Sequence, residues 1–271
     1  MFSANQAFPG ITHITEGMGV GFTLFEGSSR AVLFDTGYGL EDVSAYVRSL
    51  TDKPLTVVLS HGHHDHILGA RWFEKTWMRV EDREEFRLRT GAEQRRSVMR
   101  QAEGAGIRVP EDYLTAEIRM PEALELTEKT GEFDSLTMRL GGLDLSVIHV
   151  PGHTPGSLMI YVPAYGLLLT GDNWNPCTWM WFPSSISAIR WRDNMIRLTA
   201  ALGDEDAAIR HVICSHQPMV RTGTELYDYL AFMTAERMRE APAVEMGSPI
   251  HTHQIRKEPE DWTLIFDRDK I

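Results

Sequence analysis

Four histidines and one aspartate crowd into the segment HGHHDH, residues 61–66, directly after the apolar run LTVVLS. Alternate side chains of an extended chain share a face, so His61 and His63 can bind one ion together. Asp65 and His66 project differently and can hold a second ion nearby. The run is internal and interrupted, which excludes a purification tag, and its spacing is improbable by chance. The segment therefore predicts a metal-binding loop.

One loop cannot complete two coordination shells, because a catalytic zinc ion takes about three protein ligands and a water molecule. Three further candidates each follow an apolar segment typical of a strand: His153 after LSVIHV, Asp172 after GLLLTG and His216 after VICS. Open α/β sheets place their sites at the carboxyl ends of strands. We therefore expect these side chains to supply the remaining ligands.

The elements around the loop indicate an α/β architecture. The segments GFTLFEG and RAVLFDTGYG flank a polar turn and predict a hairpin, LEDVSAYVRSL predicts an amphipathic helix, and LTVVLS predicts a buried strand. Further along the chain, a hairpin is predicted around Gly141 and Gly142, and a helix over about 186–202. Thr222 and Glu225 have the spacing of a capping box that opens another helix.

Residues 74 to about 130 form a charged, helix-favouring segment broken by glycines and a proline. We expect a helical insertion, either a pair of helices with solvated faces or a cap over an active site. No linker or low-complexity segment divides the chain, so we expect a single domain over residues 1–271.

Composition narrows the classes of function. The 271 residues carry a net charge of −11, which disfavours a nucleic-acid partner because phosphate binding needs a basic surface. Two cysteines without metal-binding spacing favour a reducing compartment. The N-terminus lacks the features of a signal peptide, and no apolar stretch is long enough for a membrane helix. We expect a cytoplasmic protein with a small-molecule substrate and no membrane partner, and leave homodimerisation open.

The segment HGHHDH resembles the HxHxDH motif of the metallo-β-lactamase-fold superfamily. FDTG, PGHTPGS, TGD and CSH follow in that family's order, so the resemblance covers residues from about 31 to 216. It implies a four-layer αββα sandwich of the α/β class. By the same resemblance, His61, His63 and His153 bind a first metal. Asp65, His66 and His216 bind a second metal, Asp172 bridges the two, and Asp35 supports the ligand loop.

Two such ions lower the pKa of a shared water towards neutrality and polarise an electrophile. The resemblance thus implies a metal-dependent hydrolase that uses a metal-bound hydroxide, with Asp65 orienting the nucleophile or relaying a proton. The nitrogen- and oxygen-rich ligand set favours two Zn²⁺ ions, with iron or manganese as alternatives. The alternative function is a mononuclear iron dioxygenase or a non-hydrolytic ligand-binding protein of the same fold.

Several branches of the superfamily fit less well. A secreted β-lactamase is disfavoured because the sequence shows no export signal, and an RNA-processing enzyme is disfavoured by the net negative charge. Flavodiiron proteins typically carry a glutamate where this sequence has His63, and they contain a flavodoxin domain for which no length remains. A small ester, thioester or lactone remains as the substrate. PGHTPGS is similar to the thioesterase branch, whereas lactonases often carry a tyrosine after the aspartate that corresponds to Asp172, and none occurs here before Tyr227.

The segment NWNPCTWMWFP directly follows Asp172. Its aromatic side chains either form an apolar wall for an acyl group or belong to the core or to a dimer interface. We expect His64 to be no ligand and His13, His149 and His211 to be structural. The role of His251 and His253 stays open. The candidate substrate-pocket residues are Trp174, Trp179, Trp181 and Phe182.

Overall fold

The computed structural model describes residues 1–203, 208–247 and 249–271. The chain divides into two compact units, and each unit is made of three separate segments of the sequence. The first unit comprises residues 1–125, 138–145 and 215–218, and the second comprises residues 126–137, 146–214 and 219–271. The expected single domain over residues 1–271 stays a prediction.

The first unit is built on a seven-stranded sheet in which the strands follow one another in chain order. The first four strands pair antiparallel and the last three continue in parallel. The strands are β1 (Ser3–Phe8), β2 (Ile11–Thr15), β3 (Gly21–Glu26), β4 (Ala31–Phe34), β5 (Leu55–Val58), β6 (Trp77–Met78) and β7 (Glu122–Ala123).

Apolar runs account for the core of this unit. All four residues of β4, which lies inside the sheet between β3 and β5, are buried. Helix α1 (Val43–Leu50) buries Val43 and Val47, one turn apart, and its N-cap Asp42 accepts a hydrogen bond from the Ala45 N–H at 2.9 Å. The other helices are α2 (His64–Ile67), α3 (Arg83–Arg89) and α4 (Ala92–Gly104).

The charged segment 74–130 contains the helices α3 and α4, in agreement with its helix-favouring sequence. It also supplies the short strands β6 and β7, which extend the sheet of the first unit. Those strands were not expected from the sequence. The segment therefore pairs with the sheet through β6, before α3, and through β7, after α4.

The second unit is built on two sheets. Its seven-stranded sheet has the order β15-β14-β12-β11-β10-β9-β8, and a three-stranded sheet has the order β13-β17-β16. The strands are β8 (Glu128–Thr130), β9 (Phe133–Arg139), β10 (Asp144–His149), β11 (Leu158–Val162), β12 (Leu167–Leu169), β13 (Cys177–Met180), β14 (His211–Ile213), β15 (Arg221–Thr222), β16 (Thr252–Lys257) and β17 (Trp262–Asp267).

The helices of the second unit are α5 (Ala188–Leu202), α6 (Gly223–Phe232) and α7 (Ala235–Glu240). Helix α6 begins with the predicted capping box: the Thr222 side chain accepts from the Glu225 N–H, and the Glu225 side chain accepts from the Thr222 N–H. Helix α5 buries apolar residues at helical spacing against the core. Among the described residues, no helix is long and apolar enough to cross a membrane.

Candidate metal centre

The segment HGHHDH follows β5 after Leu59 and Ser60, bends at His61 and Gly62, and continues into α2. His63 is the N-cap residue of α2, with an extended backbone at φ −79° and ψ 148°. The rings of His61 and His63 are buried, and their centroids lie 4.8 Å apart. One nitrogen of each ring also lies within 4.8 Å of the other, which is close enough for both to bind one ion.

Two further candidate ligands of the first unit, His66 and His216, converge on the carboxylate of a third, Asp65. Oδ2 of Asp65 lies 3.6 Å from Nε2 of His66 and 3.5 Å from Nε2 of His216. Burial alone would raise the pKa of Asp65, but His66, His64 and His216 hold it well below its usual value. Asp65 is therefore a carboxylate placed between two imidazoles, an arrangement suited to a cation.

Asp35 lies beneath the loop and organises it. Its carboxylate accepts hydrogen bonds from the Ser60 N–H at 2.6 Å, from the Ser60 hydroxyl at 2.8 Å and from Nδ1 of His66 at 2.9 Å. Asp35 is 1% exposed and has a positive φ of 71°. A carboxylate only accepts, so these contacts decide where the protons lie.

The hydrogen bonds of Asp35 set the tautomers of two imidazoles. The Ser60 hydroxyl donates its proton to Asp35, so it accepts from Nδ1 of His61 at 2.9 Å. Nδ1 of His66 donates directly to Asp35. In the neutral rings, Nε2 of each then carries the lone pair that a metal requires.

Residues of the helical segment also reach the loop. Asp82, fully buried, accepts from the Gly62 N–H at 2.8 Å, and Oε1 of Glu85 lies 3.2 Å from Nε2 of His63. Arg89 donates to the same Glu85 oxygen at 2.6 Å. Burial alone would raise the pKa of Glu85, but His63 and Arg89 lower it to about 2. Asp82 and Glu85 were not predicted from the sequence, because a charged helix does not reveal which carboxylates are buried.

The second unit brings two candidate ligands together. Nε2 of His153 lies 3.6 Å from Oδ2 of Asp172. Nδ1 of His153 lies 2.7 Å from the Trp179 carbonyl oxygen, to which it can only donate, so its Nε2 also carries a lone pair. The side chain of Asn173 accepts from the His153 N–H at 2.8 Å, and the Ser185 hydroxyl donates to the His153 carbonyl at 2.7 Å.

An aromatic patch lies beside His153 in the second unit. We define it as Trp179, Trp181 and Phe182. The rings of Trp181 and Phe182 stack with centroids 4.7 Å apart, and Phe182 packs edge-on against His153 at 5.2 Å. Trp179 is 40% exposed. The patch therefore offers an accessible apolar surface next to a candidate ligand.

Trp174 does not join this patch. Its side chain is fully buried in the core of the second unit, and its ring packs edge-on against Tyr229 with centroids 5.9 Å apart. The expectation that Trp174 lines a substrate pocket is corrected: it is a core residue, as the alternative interpretation of the aromatic segment held.

The remaining histidines in the described residues lie outside these ligand groups. Burial lowers the pKa of His64 to about 4, and its ring packs against Tyr38 at 5.5 Å. His149 hydrogen-bonds the Pro155 carbonyl, and His253 hydrogen-bonds the Ala241 carbonyl. His251 is exposed beside Asp269.

One further buried acid escaped sequence analysis. Glu16 accepts from the Tyr38 N–H at 2.8 Å, and burial raises its pKa to about 8. Glu16 lies in the segment TEGMG, an ordinary turn, and nothing in that segment indicates that its side chain is buried.

The loop motif and the strand order define a protein of the metallo-β-lactamase fold. The family model of the Metallo-beta-lactamase superfamily matches residues 19–202, well over half of the chain. The chain belongs to this superfamily. The predicted family and fold class, the α/β αββα sandwich, are thereby confirmed.

Proteins similar to this chain include an acyl-coenzyme A thioesterase and a probable metallo-hydrolase. The chain is 29% identical over 161 residues to "Acyl-coenzyme A thioesterase MBLAC2" of Bos taurus, matching 55% of this chain and 56% of that protein. It is 25% identical over 146 residues to "Probable metallo-hydrolase YqgX" of Bacillus subtilis, matching 53% of this chain and 60% of that protein. The matches thus span little more than half of either relative. The expectation of an enzyme is confirmed at the level of the family.

Solved structures share the fold at low sequence identity. The sec-alkylsulfatase Pisa1 from Pseudomonas sp. superposes with a TM-score of 0.61 and 20% identity, over 85% of this chain and 40% of that chain. A metallo-β-lactamase from Pontibacter korlensis superposes with a TM-score of 0.58 and 17% identity, over 85% of this chain and 98% of that chain. These similarities establish the fold alone.

Proposed function

We propose that the chain is a dinuclear metal-dependent hydrolase that cleaves a small ester, thioester or lactone. The observation that carries the proposal is the convergence of His61 with His63, and of Asp65 with His66 and His216, in the first unit. Hydrogen bonds orient the rings of His61 and His66 so that the lone pair of Nε2 is available to a metal ion. This chemistry suits a cation of the zinc class.

The proposed ligand assignment follows the motifs of the superfamily. A first ion would be held by His61, His63 and His153, and a second by Asp65, His66 and His216. Asp172 would contribute its carboxylate to both ions. The 3.6 Å separation of His153 Nε2 and Asp172 Oδ2 supports their part in this set.

The donor atoms also bear on the metal. All are imidazole nitrogens or carboxylate oxygens, which favour Zn²⁺ and are also compatible with Fe or Mn. When bound, two such ions supply an activated water and polarise the carbonyl of the substrate. The protein contributes the orientation of the imidazoles, through Asp35 and Ser60 for the loop and through Asn173 and Ser185 around His153.

Asp65 is proposed to act on the proton of the attacking water. Its pKa is held well below the usual value, so it is a carboxylate that accepts a hydrogen bond from the nucleophile. It then relays the proton to the departing oxygen or sulfur.

A thioester is the best supported of the three substrate classes. The acyl-CoA thioesterase MBLAC2 is similar to this chain, and the aromatic patch of Trp179, Trp181 and Phe182 offers an apolar surface for an acyl group. Large aromatic side chains bind acyl chains mainly by removing apolar surface from water.

The test is a hydrolysis panel on protein loaded with Zn²⁺ or Mn²⁺, comprising acyl thioesters, lactones, aryl esters, a β-lactam and a phosphodiester. Asp65→Asn is the test variant, and Asp52→Asn, at an exposed carboxylate, is the matched control. We expect turnover of a thioester that Asp65→Asn loses and Asp52→Asn retains. Metal content is measured on the same samples.

Two results would overturn the proposal. The first is a wild-type protein that binds no metal, because the predicted metal centre would then be absent. A single bound iron ion with no hydrolysis would support the dioxygenase alternative instead.

A further inference from the structure

The helical segment supplies a second layer of contacts to the ligand loop, independent of Asp35. Asp82 immediately precedes α3, and Glu85 lies in the first turn of that helix. The Gly62 N–H donates to Oδ2 of Asp82 at 2.8 Å, while Glu85 contacts the ring of the next residue, His63, at 3.2 Å. The two carboxylates therefore engage consecutive residues of the loop, one through its main chain and one through its imidazole.

The packing leaves little freedom in this contact. A side chain at Gly62 would place Cβ 2.9 Å from Cβ of Glu85 and 3.0 Å from the Phe86 nitrogen. Glycine thus permits the loop and α3 to approach closely. Phe86 is fully buried in the core of the first unit, and Arg89 pairs with Glu85 from the next turn of the helix. The position of the Glu85 carboxylate is therefore fixed from several sides.

The contact distinguishes His63 from its neighbours. His61 and His66 are held through Nδ1, by Ser60 and Asp35 respectively. His63 instead faces Glu85 through Nε2. A carboxylate within ion-pair distance of one ring nitrogen favours the proton on that nitrogen and the lone pair on the other, and carboxylates commonly orient metal-binding histidines in this way.

We propose that Asp82 and Glu85 are positioning residues of the metal loop: Asp82 holds the main chain at Gly62, and Glu85 orients the ring of His63 from its Nε2 side. The inference rests on the proposed metal centre. It gives the helical segment a role in assembling that centre through these two carboxylates.

The test measures metal affinity rather than turnover. Wild type, Glu85→Ala and Glu85→Gln are titrated with Zn²⁺ against a competing chelator near neutral pH, and with Co²⁺ to follow its visible absorption. Glu84→Ala is the matched control, since Glu84 is an exposed carboxylate on the same helix paired with Arg87. Asp82→Asn tests the main-chain contact separately.

We expect Glu85→Ala to weaken one of two metal-binding events about 10- to 100-fold and to shift the Co²⁺ spectrum. Glu85→Gln retains an acceptor oxygen and should lie between Glu85→Ala and wild type, and Asp82→Asn should also weaken binding. Thermal unfolding of each metal-free variant establishes that it is folded. If Glu85→Ala does not fold, Glu85→Gln decides the result.

Wild-type affinity and an unchanged Co²⁺ spectrum in the folded Glu85 variants would overturn the inference, while the proposed function would survive. An equal loss in Glu84→Ala would also overturn it, because the effect would then come from the charge of the helix. Absence of metal binding in wild type would reject the proposed function, and the inference with it.

Discussion

Nδ1 of His66 lies 2.9 Å from Oδ2 of Asp35, and both side chains are almost completely buried. The same carboxylate receives two hydrogen bonds from Ser60, whose hydroxyl accepts from His61. One buried acid therefore connects the first and last histidines of the loop. Its removal should affect both proposed ions.

Asp35→Asn should lower the affinity for both metals by about 10- to 100-fold. The reason is that the asparagine amide places an NH2 group, a donor, where a carboxylate oxygen of Asp35 accepts from His66 or from Ser60. Asparagine tolerates the positive φ of this position, so the change tests the carboxylate rather than the backbone. Chelator competition measures the affinities, with Asp52→Asn as the control. Unchanged binding of both ions would show that Asp35 does not organise the loop.

Local patterns made much of the fold predictable. The burial of Val43 and Val47, the capping box of Thr222 and Glu225, and the hairpin at Gly141 each depend on residues close together in the sequence. The short strands β6 and β7 were missed because two-residue strands within a charged segment have no periodic pattern. The strands β16 and β17 were missed because alternation in that tail is weak.

The candidate ligands were predictable because metal binding imposes residue types at set spacings after strands. Their structural support was not predictable, since the burial of Glu85 depends on how α3 packs against the loop. Trp174 and Trp179 show the same limit: both lie in one aromatic segment, yet the first is a core residue and the second is exposed. Tertiary packing decides between these outcomes.

The two tryptophans should respond differently to truncation. Trp174→Ala should lower the free energy of unfolding by about 3–5 kcal/mol, because it removes a large buried side chain. Trp179→Ala should leave stability nearly unchanged but reduce kcat/KM for a long-chain thioester about tenfold, or ~1.4 kcal/mol. Urea unfolding and kinetics with short- and long-chain substrates measure the contrast. If kcat/KM falls equally for short- and long-chain substrates, Trp179 does not contribute to binding the acyl chain.

Lys270 should control the position of the aromatic patch. Its Nζ donates to the carbonyl oxygens of Phe182 at 2.9 Å, Pro183 at 2.7 Å and Ser185 at 3.1 Å. Lys270→Met loses these hydrogen bonds and should raise KM for an apolar thioester about fivefold, or ~1 kcal/mol. Lys129→Met, at an exposed lysine of the same unit, is the control. An unchanged KM would show that the carbonyl contacts do not position the patch.

His13 should make stability depend on pH. It is 4% exposed and hydrogen-bonds Thr23 at 2.9 Å, and burial lowers its pKa from 6.5 to about 4, against a smaller opposing effect of the Gln217 main chain. Between these values the unfolded chain binds the proton and the folded chain does not, so the stabilising contribution is complete above pH 6.5 and is lost as pH falls towards 4.

The expected loss from His13 across that window is about 3 kcal/mol. Urea unfolding of metal-free protein at several pH values should show a shallower decline for His13→Gln than for wild type, whatever the variant's starting stability. His251→Gln, at an exposed histidine, should follow wild type. Parallel curves for His13→Gln and wild type would mean that His13 takes up its proton without opposing the fold.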